Sequence, residues 1–198
     1  MFAKLIELTM FANVFNILIR TMNRPTLRNA VTSAVNCGLP DVNIIIHSDV
    51  GYLPEYEQFE QIVSQRSHEP YGYNLYCNAL KDAVTSGHFL FLDDDDYIIP
   101  DSLPTIIYSL NDANIVQFSR GGWAKPSNDE IRYRTFRNGG IGLPCLILDA
   151  KYKDIANIEA SEDGDYLWIY NVLNKMDTNQ VSYFQTPIVY SHQRGWGK

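Results

Sequence analysis

The sequence predicts an α/β domain in which a mostly parallel central sheet is flanked by helices. Short apolar runs rich in β-branched residues alternate with longer segments whose apolar residues recur at helical spacing. This alternation is typical of parallel sheets, because a helix carries the chain back to the start of the next strand. With 198 residues and 45% hydrophobic composition, the chain suffices for one sizeable core and is best described as a single domain.

Three strands and three helices are predicted in the first half of the chain. The strands are VFNILIRT, VNIIIHS and HFLFL, at 14–21, 42–48 and 88–92. Residues 24–38 and 71–87 each have one apolar helical face, and residues 54–66 are a third helix candidate. The predicted order is therefore strand, helix, strand, helix, helix, strand.

The second half predicts a small antiparallel portion and one more helix. Residues 114–149 have the pattern of two strands around a turn rich in Gly, Pro and Asn, then a glycine-rich loop and another strand. The segment SEDGDYLWIYNVL (161–173) predicts a helix with Ser161 as its N-cap and with Leu167, Tyr170 and Leu173 as its anchoring residues.

Composition excludes several classes of function. The formal net charge is −7 and no run of Lys or Arg offsets it, so nucleic acid is not an expected partner. Cys37, Cys77 and Cys145 are odd in number, widely separated and without CxxC spacing. They predict buried thiols in a reducing compartment and neither a disulfide framework nor a zinc site.

The amino-terminal segment 1–20 is apolar but is interrupted by Glu7, Asn13 and Asn16. It therefore predicts neither a transmembrane segment nor a signal peptide, and the expected location is the cytoplasm. The alternative is a peripheral contact with the inner face of a membrane through the apolar side chains of residues 5–11.

Polar loops follow the three predicted strands: RTMNRP (20–25), HSDVG (47–51) and DDDD (93–96). In a parallel sheet such loops meet at one edge, where ligands bind. Four adjacent carboxylates repel one another unless a cation or hydrogen-bond donors neutralise them. Carboxylate oxygens suit Mg²⁺ or Mn²⁺, and such sites typically combine one or two carboxylates with a diphosphate. The position of the run at a strand end favours this interpretation.

Two other interpretations of the acidic run are weaker. A calcium EF-hand needs a glycine at its sixth loop position and a closing glutamate, which DDDDYIIPDSL lacks. A solvated acidic turn that caps a helix beginning near Asp101 would explain the charge without any ligand.

Four blocks of the sequence resemble, in order, the blocks of the family 2 inverting glycosyltransferases. They are ILIRTMNRPTLRNAVTSAV (17–35), NIIIHSD (43–49), GYNLYCNALKDAVTSGHFLFLDDDDYIIPDSL (72–103) and SEDGDYLWIYNVL (161–173). The resemblance implies a Rossmann-like GT-A domain over residues 1–198. Its nucleotide-sugar-binding half would span about 14–110 and its acceptor-binding half about 111–198.

The same resemblance implies an activity and its partners. A sugar would pass from a nucleotide-diphosphate donor, with a UDP-sugar favoured, to a hydroxyl of a glycan or other acceptor, and the anomeric configuration would invert. Mn²⁺ or Mg²⁺ would be held on the donor diphosphate.

On the donor side, the resemblance carries over unevenly. Thr21, Asn23 and Arg24 match the first-strand motif, whose proline is Arg20 here and whose aromatic residue is Met22. Because that aromatic residue commonly packs on the nucleobase, Met22 leaves the identity of the base open.

Further donor contacts are implied by the second and third blocks. Asp49 matches the carboxylate that binds the base or ribose, and Gly72 and Asn78 match the block ahead of the acidic strand. The family often has Arg just before that asparagine, where this chain has Cys77.

The DxD motif of the family corresponds to Asp93, Asp94 and Asp95. The resemblance implies Asp95 as a metal ligand, Asp93 as a contact to ribose or, through water, to the metal, and Asp94 as the variable middle position. His192, in the tail, corresponds to a histidine that some relatives place on the metal.

The reaction also needs a base, because an acceptor hydroxyl is a weak nucleophile. The resemblance implies Asp163 as this base, with Glu162 and Asp165 as the next candidates. Acidic residues also favour a helix amino terminus through the helix dipole, which would explain them without catalysis.

Acceptor binding is expected from the segment between the two acidic motifs. Trp123 and the glycines around Gly140 would offer a sugar platform and a close backbone approach, although Trp123 would serve equally well in packing.

Other classes of function stay open from the sequence. One is a non-catalytic nucleotide- or glycan-binding module on the same fold, which the Met22 and Cys77 departures favour. A sugar nucleotidyltransferase usually has a glycine-rich loop after its first strand, and RTMNRPT lacks the glycines. A glycosidase would need two carboxylates flanking the bond that it cleaves.

Overall fold

The computed structural model describes residues 14–120 and 141–191. The predictions for Trp123, Gly140, His192 and the amino-terminal residues 5–11 lie outside these ranges. Within them, Cys37, Cys77 and Cys145 are buried free thiols, as expected. No helix in the described ranges is long and apolar enough to cross a membrane.

The described chain forms one mixed sheet with helices packed on it. The strands are β1 (Phe15–Thr21), β2 (Val42–Ser48), β3 (Glu60–Val63), β4 (His88–Asp93), β5 (Asp96–Ile98), β6 (Ala113–Arg120), β7 (Leu146–Asp149) and β8 (Val181–Ser191). The α-helices are α1 (Leu27–Val35), α2 (Tyr76–Ala83) and α3 (Gly164–Asn174).

Within the described ranges, the strand order is β3-β2-β1-β4-β7-β6-β8-β5. The half that contains β3, β2, β1 and β4 is parallel throughout. In the other half β7 is antiparallel to β4 and β6, β8 is parallel to β6, and β5 is antiparallel to β8. The predicted α/β class, with an antiparallel portion beside a parallel sheet, is confirmed.

The two faces of the sheet are covered by different helices. Successive residues of a strand point to opposite faces, so Leu18 of β1 packs with α2 and α3 while Ile17 and Ile19 pack with α1. Both faces are buried, which is why the parallel strands have nearly continuous apolar sequences.

The prediction of a helix over 54–66 is wrong. Residues Pro54–Tyr56 form one 3₁₀ turn, and Glu60–Val63 form β3, which pairs in parallel with β2 at the sheet edge. The side chain of Gln61 donates to the Leu53 carbonyl and accepts from the Leu53 amide, both at 2.9 Å. This pairing to the sheet edge and to the preceding loop outweighs the helical spacing of the apolar residues.

The predicted N-cap of the last helix is also wrong. Helix α3 begins at Gly164, with Asp163 at the N-cap position, and Ser161 lies before it. A Cβ atom at position 164 would lie 2.2 Å from the Glu159 carbonyl oxygen, so only glycine allows this close approach. Leu167 and Tyr170 are 37% and 42% exposed, so they are not anchors. The predicted anchor Leu173 is buried, and the other anchoring residues are Trp168, Ile169 and Val172.

No α-helix follows the acidic run near Asp101. That residue has a φ of 58°, and a 3₁₀ turn follows at Leu103–Thr105. The interpretation of the four aspartates as a helix cap therefore has no helix to support it in this part of the structure.

Candidate functional site

The carboxyl ends of β1, β2 and β4 bring the three polar loops to one edge of the sheet, as predicted. In the register of these strands, Arg20 lies opposite His47 on one side and Asp93 on the other. Asp49 follows β2 directly and Asp94 follows β4. The acidic run is thus one wall of a site that β1 and β2 also line.

Asp93, the first aspartate of the run, is held by Arg20, which the sequence motifs do not mark as a site residue. Arg20 donates from Nε and Nη2 to the two carboxylate oxygens of Asp93, at 2.5 and 3.2 Å. Its Nη1 donates to Asn74 Oδ1 at 2.9 Å and lies 3.8 Å from Cys77 Sγ. Burial alone would lower the pKa of Arg20, but the charge of Asp93 raises it well above its usual range.

In the family that the sequence resembles, an arginine often stands at position 77, and in this structure a guanidinium from β1 lies beside that position. Cys77 stands there, and its thiol lies beside the Arg20 guanidinium. Burial raises the pKa of Cys77 to about 12, so the thiol stays neutral. Only the strand register, which the sequence does not state, shows that Arg20 reaches this point from β1.

The second aspartate organises the loop after β1. Asp94 is buried, and one of its oxygens accepts from Thr21 Oγ1 at 2.7 Å and from the Met22 amide at 3.1 Å. Thr21 Oγ1 in turn accepts from the Asn23 amide at 2.7 Å, where the backbone has a φ of 56°. Thr21 and Asn23 are predicted to bind the nucleotide-sugar donor. In the structure they also hold the loop after β1 in its conformation.

We predict that Thr21→Val destabilises the fold by about 1–3 kcal/mol, because it removes one hydrogen bond to the buried Asp94 carboxylate and the acceptor of the Asn23 amide. The free energy of unfolding from urea denaturation measures the effect. Thr32→Val, at an exposed position of α1, is the matched control. Equal losses in the two variants would contradict the framework role of the Thr21 hydroxyl.

The third aspartate is in a strongly negative environment. Asp95 pairs with Arg24 at 2.9 Å, and Arg24 also contacts Asp94 at 3.1 Å. Burial raises the pKa of Asp95, and the charges of Asp93 and Asp94 raise it further, while Arg24 lowers it. One arginine therefore does not neutralise this part of the run.

A divalent cation fits this local charge. The described ranges contain no group of three or more His, Cys, Asp and Glu side chains that would hold a metal by themselves. Sites that bind Mg²⁺ together with a diphosphate use only one or two carboxylates, with ligand oxygens completing the shell. Asp95 and Asp93 are half-buried carboxylates, and together they supply the one or two carboxylates that such a site needs.

A second wall of the site is formed around Asp49. Its side chain is 2% exposed, and both oxygens accept from Arg66, at 2.8 and 3.2 Å. Next to it the His47 ring stacks on Tyr76 at 4.4 Å, and burial lowers the pKa of His47. Because the segment containing Arg66 is predicted as a helix, the sequence does not place Arg66 here.

Gly72 and Asn78 have framework contacts in the structure. A Cβ atom at Gly72 would lie 2.0 Å from Ser67 Oγ, so the glycine allows close packing of the preceding loop. The Asn78 amide group donates to the Ile158 carbonyl at 2.8 Å and accepts from the Ile158 amide at 2.9 Å. Nucleotide contact by these residues stays a prediction.

The acidic start of α3 faces the same site through Asp165. Glu162 is exposed and Asp163 is half-buried at the N-cap position, where its side chain makes no capping bond. Asp165 Oδ2 lies 3.3 Å from where a Cβ atom on Gly142 would be. Burial raises the pKa of Asp165, Arg20 lowers it and Asp93 raises it, so these three charges lie within electrostatic reach of one another.

We predict that Asp165→Asn becomes more stable relative to the natural protein as pH rises. A raised pKa in the folded state contributes stability below the unfolded pKa of about 3.9 and loses it as pH rises through the higher folded value. Asparagine does not titrate, so the difference in melting temperature should grow in the variant's favour as pH rises from about 4. A constant or opposite difference would contradict the direction; Asp41→Asn, at an exposed position, is the control.

No family model matches this chain, and no curated protein matches it. Solved structures do. S. aureus TarS 1-349 has a TM-score of 0.65 at 18% identity, over 89% of this chain and 60% of that one. The same protein in complex with UDP-GlcNAc has a TM-score of 0.67 at 17% identity, over 92% and 59%.

This chain also matches a nucleotidyltransferase structure, and it covers a larger share of that structure than of TarS. A putative glucose-1-phosphate thymidylyltransferase from Bacillus anthracis has a TM-score of 0.53 at 12% identity, over 88% of this chain and 87% of that one. The chain thus spans less than two thirds of the TarS structures. At these identities the comparisons establish the fold.

Proposed function

We propose that this protein is a glycosyltransferase that transfers a sugar from a nucleotide-diphosphate donor, a UDP-sugar in the first instance, to an acceptor hydroxyl. The observation that carries the proposal is that Asp49 and Asp93–Asp95 lie at one sheet edge, to which Asn74 joins the acidic start of α3 by hydrogen bonds with Arg20 and with the Ser161 carbonyl. The shared fold of TarS, which is solved with UDP-GlcNAc and with UDP, supports the donor class.

On the donor side, we assign the nucleobase to the wall containing Asp49 and the ribose to Asp93. Arg66 is 53% exposed while Asp49 is almost wholly covered, so the arginine is able to move aside or to contact the ligand itself. Thr21, Asn23 and Arg24 shape the loop nearest the diphosphate, and Arg24 is exposed enough to reach it.

The metal, Mn²⁺ or Mg²⁺, would be held by Asp95 with Asp93. It would supply positive charge to the diphosphate that leaves. His192 is a further candidate ligand from the sequence. Arg24 now contacts Asp95, and its role in the reaction would be to share the negative charge of the run.

The proton of the acceptor hydroxyl would be taken by Asp163, with Glu162 as its alternative. Attack from the side opposite the leaving diphosphate would invert the anomeric carbon. The acceptor, a glycan or another hydroxyl compound, would be bound in part by Trp123 and the backbone around Gly140.

Sugar nucleotidyl transfer is the second candidate, favoured by the Bacillus anthracis structure and its 87% coverage. That reaction would join a nucleoside triphosphate to a sugar phosphate and release pyrophosphate. The absence of glycines in RTMNRPT argues against a phosphate-binding loop of that kind.

Calorimetric titration of UDP, GDP and dTDP, with Mn²⁺ and with EDTA, tests the proposal. We expect one nucleotide to bind only with metal, and UDP release from UDP-GlcNAc or another UDP-sugar to follow. Pyrophosphate release from dTTP with glucose 1-phosphate would indicate the second candidate. Binding without turnover of any donor would indicate a non-catalytic module, and no binding at all would refute the assignment.

A further inference from the structure

Arg20 is the most heavily engaged charged side chain at this sheet edge among the described residues. Its guanidinium pairs with Asp93, donates to Asn74, lies against Cys77 and is 4.9 Å from the centre of the Tyr73 ring. The side chain is 17% exposed. An arginine used in this way is fully committed to protein partners, so direct substrate binding is not its main role.

A chain of hydrogen bonds continues from Arg20 to the start of α3. Asn74 is 3% exposed, and its Nδ2 donates to the Ser161 carbonyl at 2.8 Å. A Cβ atom on Gly164 would lie 3.0 Å from the same Nδ2, so the helix start packs directly on Asn74. The guanidinium therefore links β4, through Asn74, to the loop that carries Asp163.

The charge of Arg20 also acts on two carboxylates of different halves of the chain, pairing with Asp93 and lowering the pKa of Asp165. Asp93 closes β4, and Asp165 lies in the first turn of α3. The two carboxylates repel each other, whereas Arg20 attracts both. Without the guanidinium, both the hydrogen bonds and this charge balance would be lost.

We propose that Arg20 is a positioning residue that sets the place of Asp93 relative to the acidic start of α3. The requirement is for a guanidinium at this point, whichever element supplies it. Nη1 lies 3.8 Å from Cys77 Sγ, so position 77 of α2 is the neighbouring position from which an arginine is expected to supply the guanidinium when position 20 is small. The catalytic consequence rests on the proposed function; the structural link does not.

The test is a swap of the arginine between two elements. Arg20→Ala, Cys77→Arg and the double variant Arg20→Ala/Cys77→Arg are compared with Arg20→Lys, which keeps the charge without the planar fork. Arg28→Ala, at an exposed position of α1, is the matched control. The readouts are melting temperature and the kcat and KM for UDP release from UDP-GlcNAc.

We expect Arg20→Ala to lower the melting temperature, to lower kcat by about 100-fold and to raise KM, because Asp93 would leave its place beside the donor and the acidic start of α3 would leave its place beside the reacting groups. The double variant should recover melting temperature and most of kcat, while Arg20→Lys should recover less. A folded double variant that recovers neither would overturn the proposal, as would an Arg20→Ala variant with unchanged kcat and melting temperature.

The two proposals fail in different ways. If the natural protein binds no nucleotide and releases no UDP, the proposed function fails, and the melting temperatures alone decide the role of Arg20. Recovery of stability by the swap then supports the link between β4 and α3, and lack of recovery overturns it. If the natural protein is active, kcat and KM decide the positioning role.

Discussion

Asp95→Asn should lower the affinity for UDP in the presence of Mn²⁺ by about 100-fold, or about 3 kcal/mol. The substitution keeps the shape of the side chain and removes the charge that the metal needs. Burial and repulsion from Asp93 and Asp94 raise the pKa of Asp95, so losing its charge offsets the loss of the ion pair with Arg24 and the fold itself should lose little stability. Calorimetry with Mn²⁺ and with EDTA, together with melting temperature, separates the two effects.

The matched control for this experiment is Asp101→Asn. Asp101 is exposed, lies shortly after the acidic run and has a φ of 58°, a conformation that asparagine adopts readily. UDP affinity should be unchanged in this variant. If Asp95→Asn binds UDP and Mn²⁺ like the natural protein, Asp95 is not a metal ligand and the charge of the run has another purpose.

Asp163→Asn should lower kcat for sugar transfer by about 10²- to 10⁴-fold while UDP affinity stays within about threefold. The reason is that a base acts on the acceptor hydroxyl, on the opposite side of the reacting carbon from the diphosphate. The measurement is turnover with a UDP-sugar and an acceptor found by screening, alongside calorimetry with UDP.

Asp165 is another carboxylate at the start of α3 that could act as the base. Asp165→Asn tested under the same conditions shows whether the base is the N-cap residue or the more enclosed residue two positions later. Glu159→Gln, exposed in the same loop, is the control. A larger loss of kcat in Asp165→Asn than in Asp163→Asn would refute Asp163 as the base and assign that role to Asp165.

Much of the fold was predictable because its strongest signals are local. β1, β2 and β4 each have a central run of apolar residues between polar loops, and their predicted bounds agree with the structure to within one residue. The segment 54–66 was not predictable in this way. Its apolar residues suit a helix as well as an edge strand, and the open edge of β2 decides between them.

The residues of the candidate site likewise fall into those that the sequence reveals and those that only the structure reveals. The acidic run, Asp49 and the acidic start of α3 are visible in the sequence because each is a polar group at the end of an apolar element. Arg20 and Arg66 are single charged residues in ordinary surroundings, and only their partners mark them as parts of the site. Those partners, Asp93 and Asp49, lie 73 and 17 positions away in the chain.

The sequence by itself determined the fold class, the three parallel strands β1, β2 and β4 and the edge at which the polar loops meet. Periodicity and the burial of strands in a parallel sheet are sufficient for that. Only the tertiary structure decided which charges neutralise which. The pairing of Arg20 with Asp93, Asn74 and Cys77 depends on strand register and on the close packing of α2 and α3, and these arise from long-range contacts.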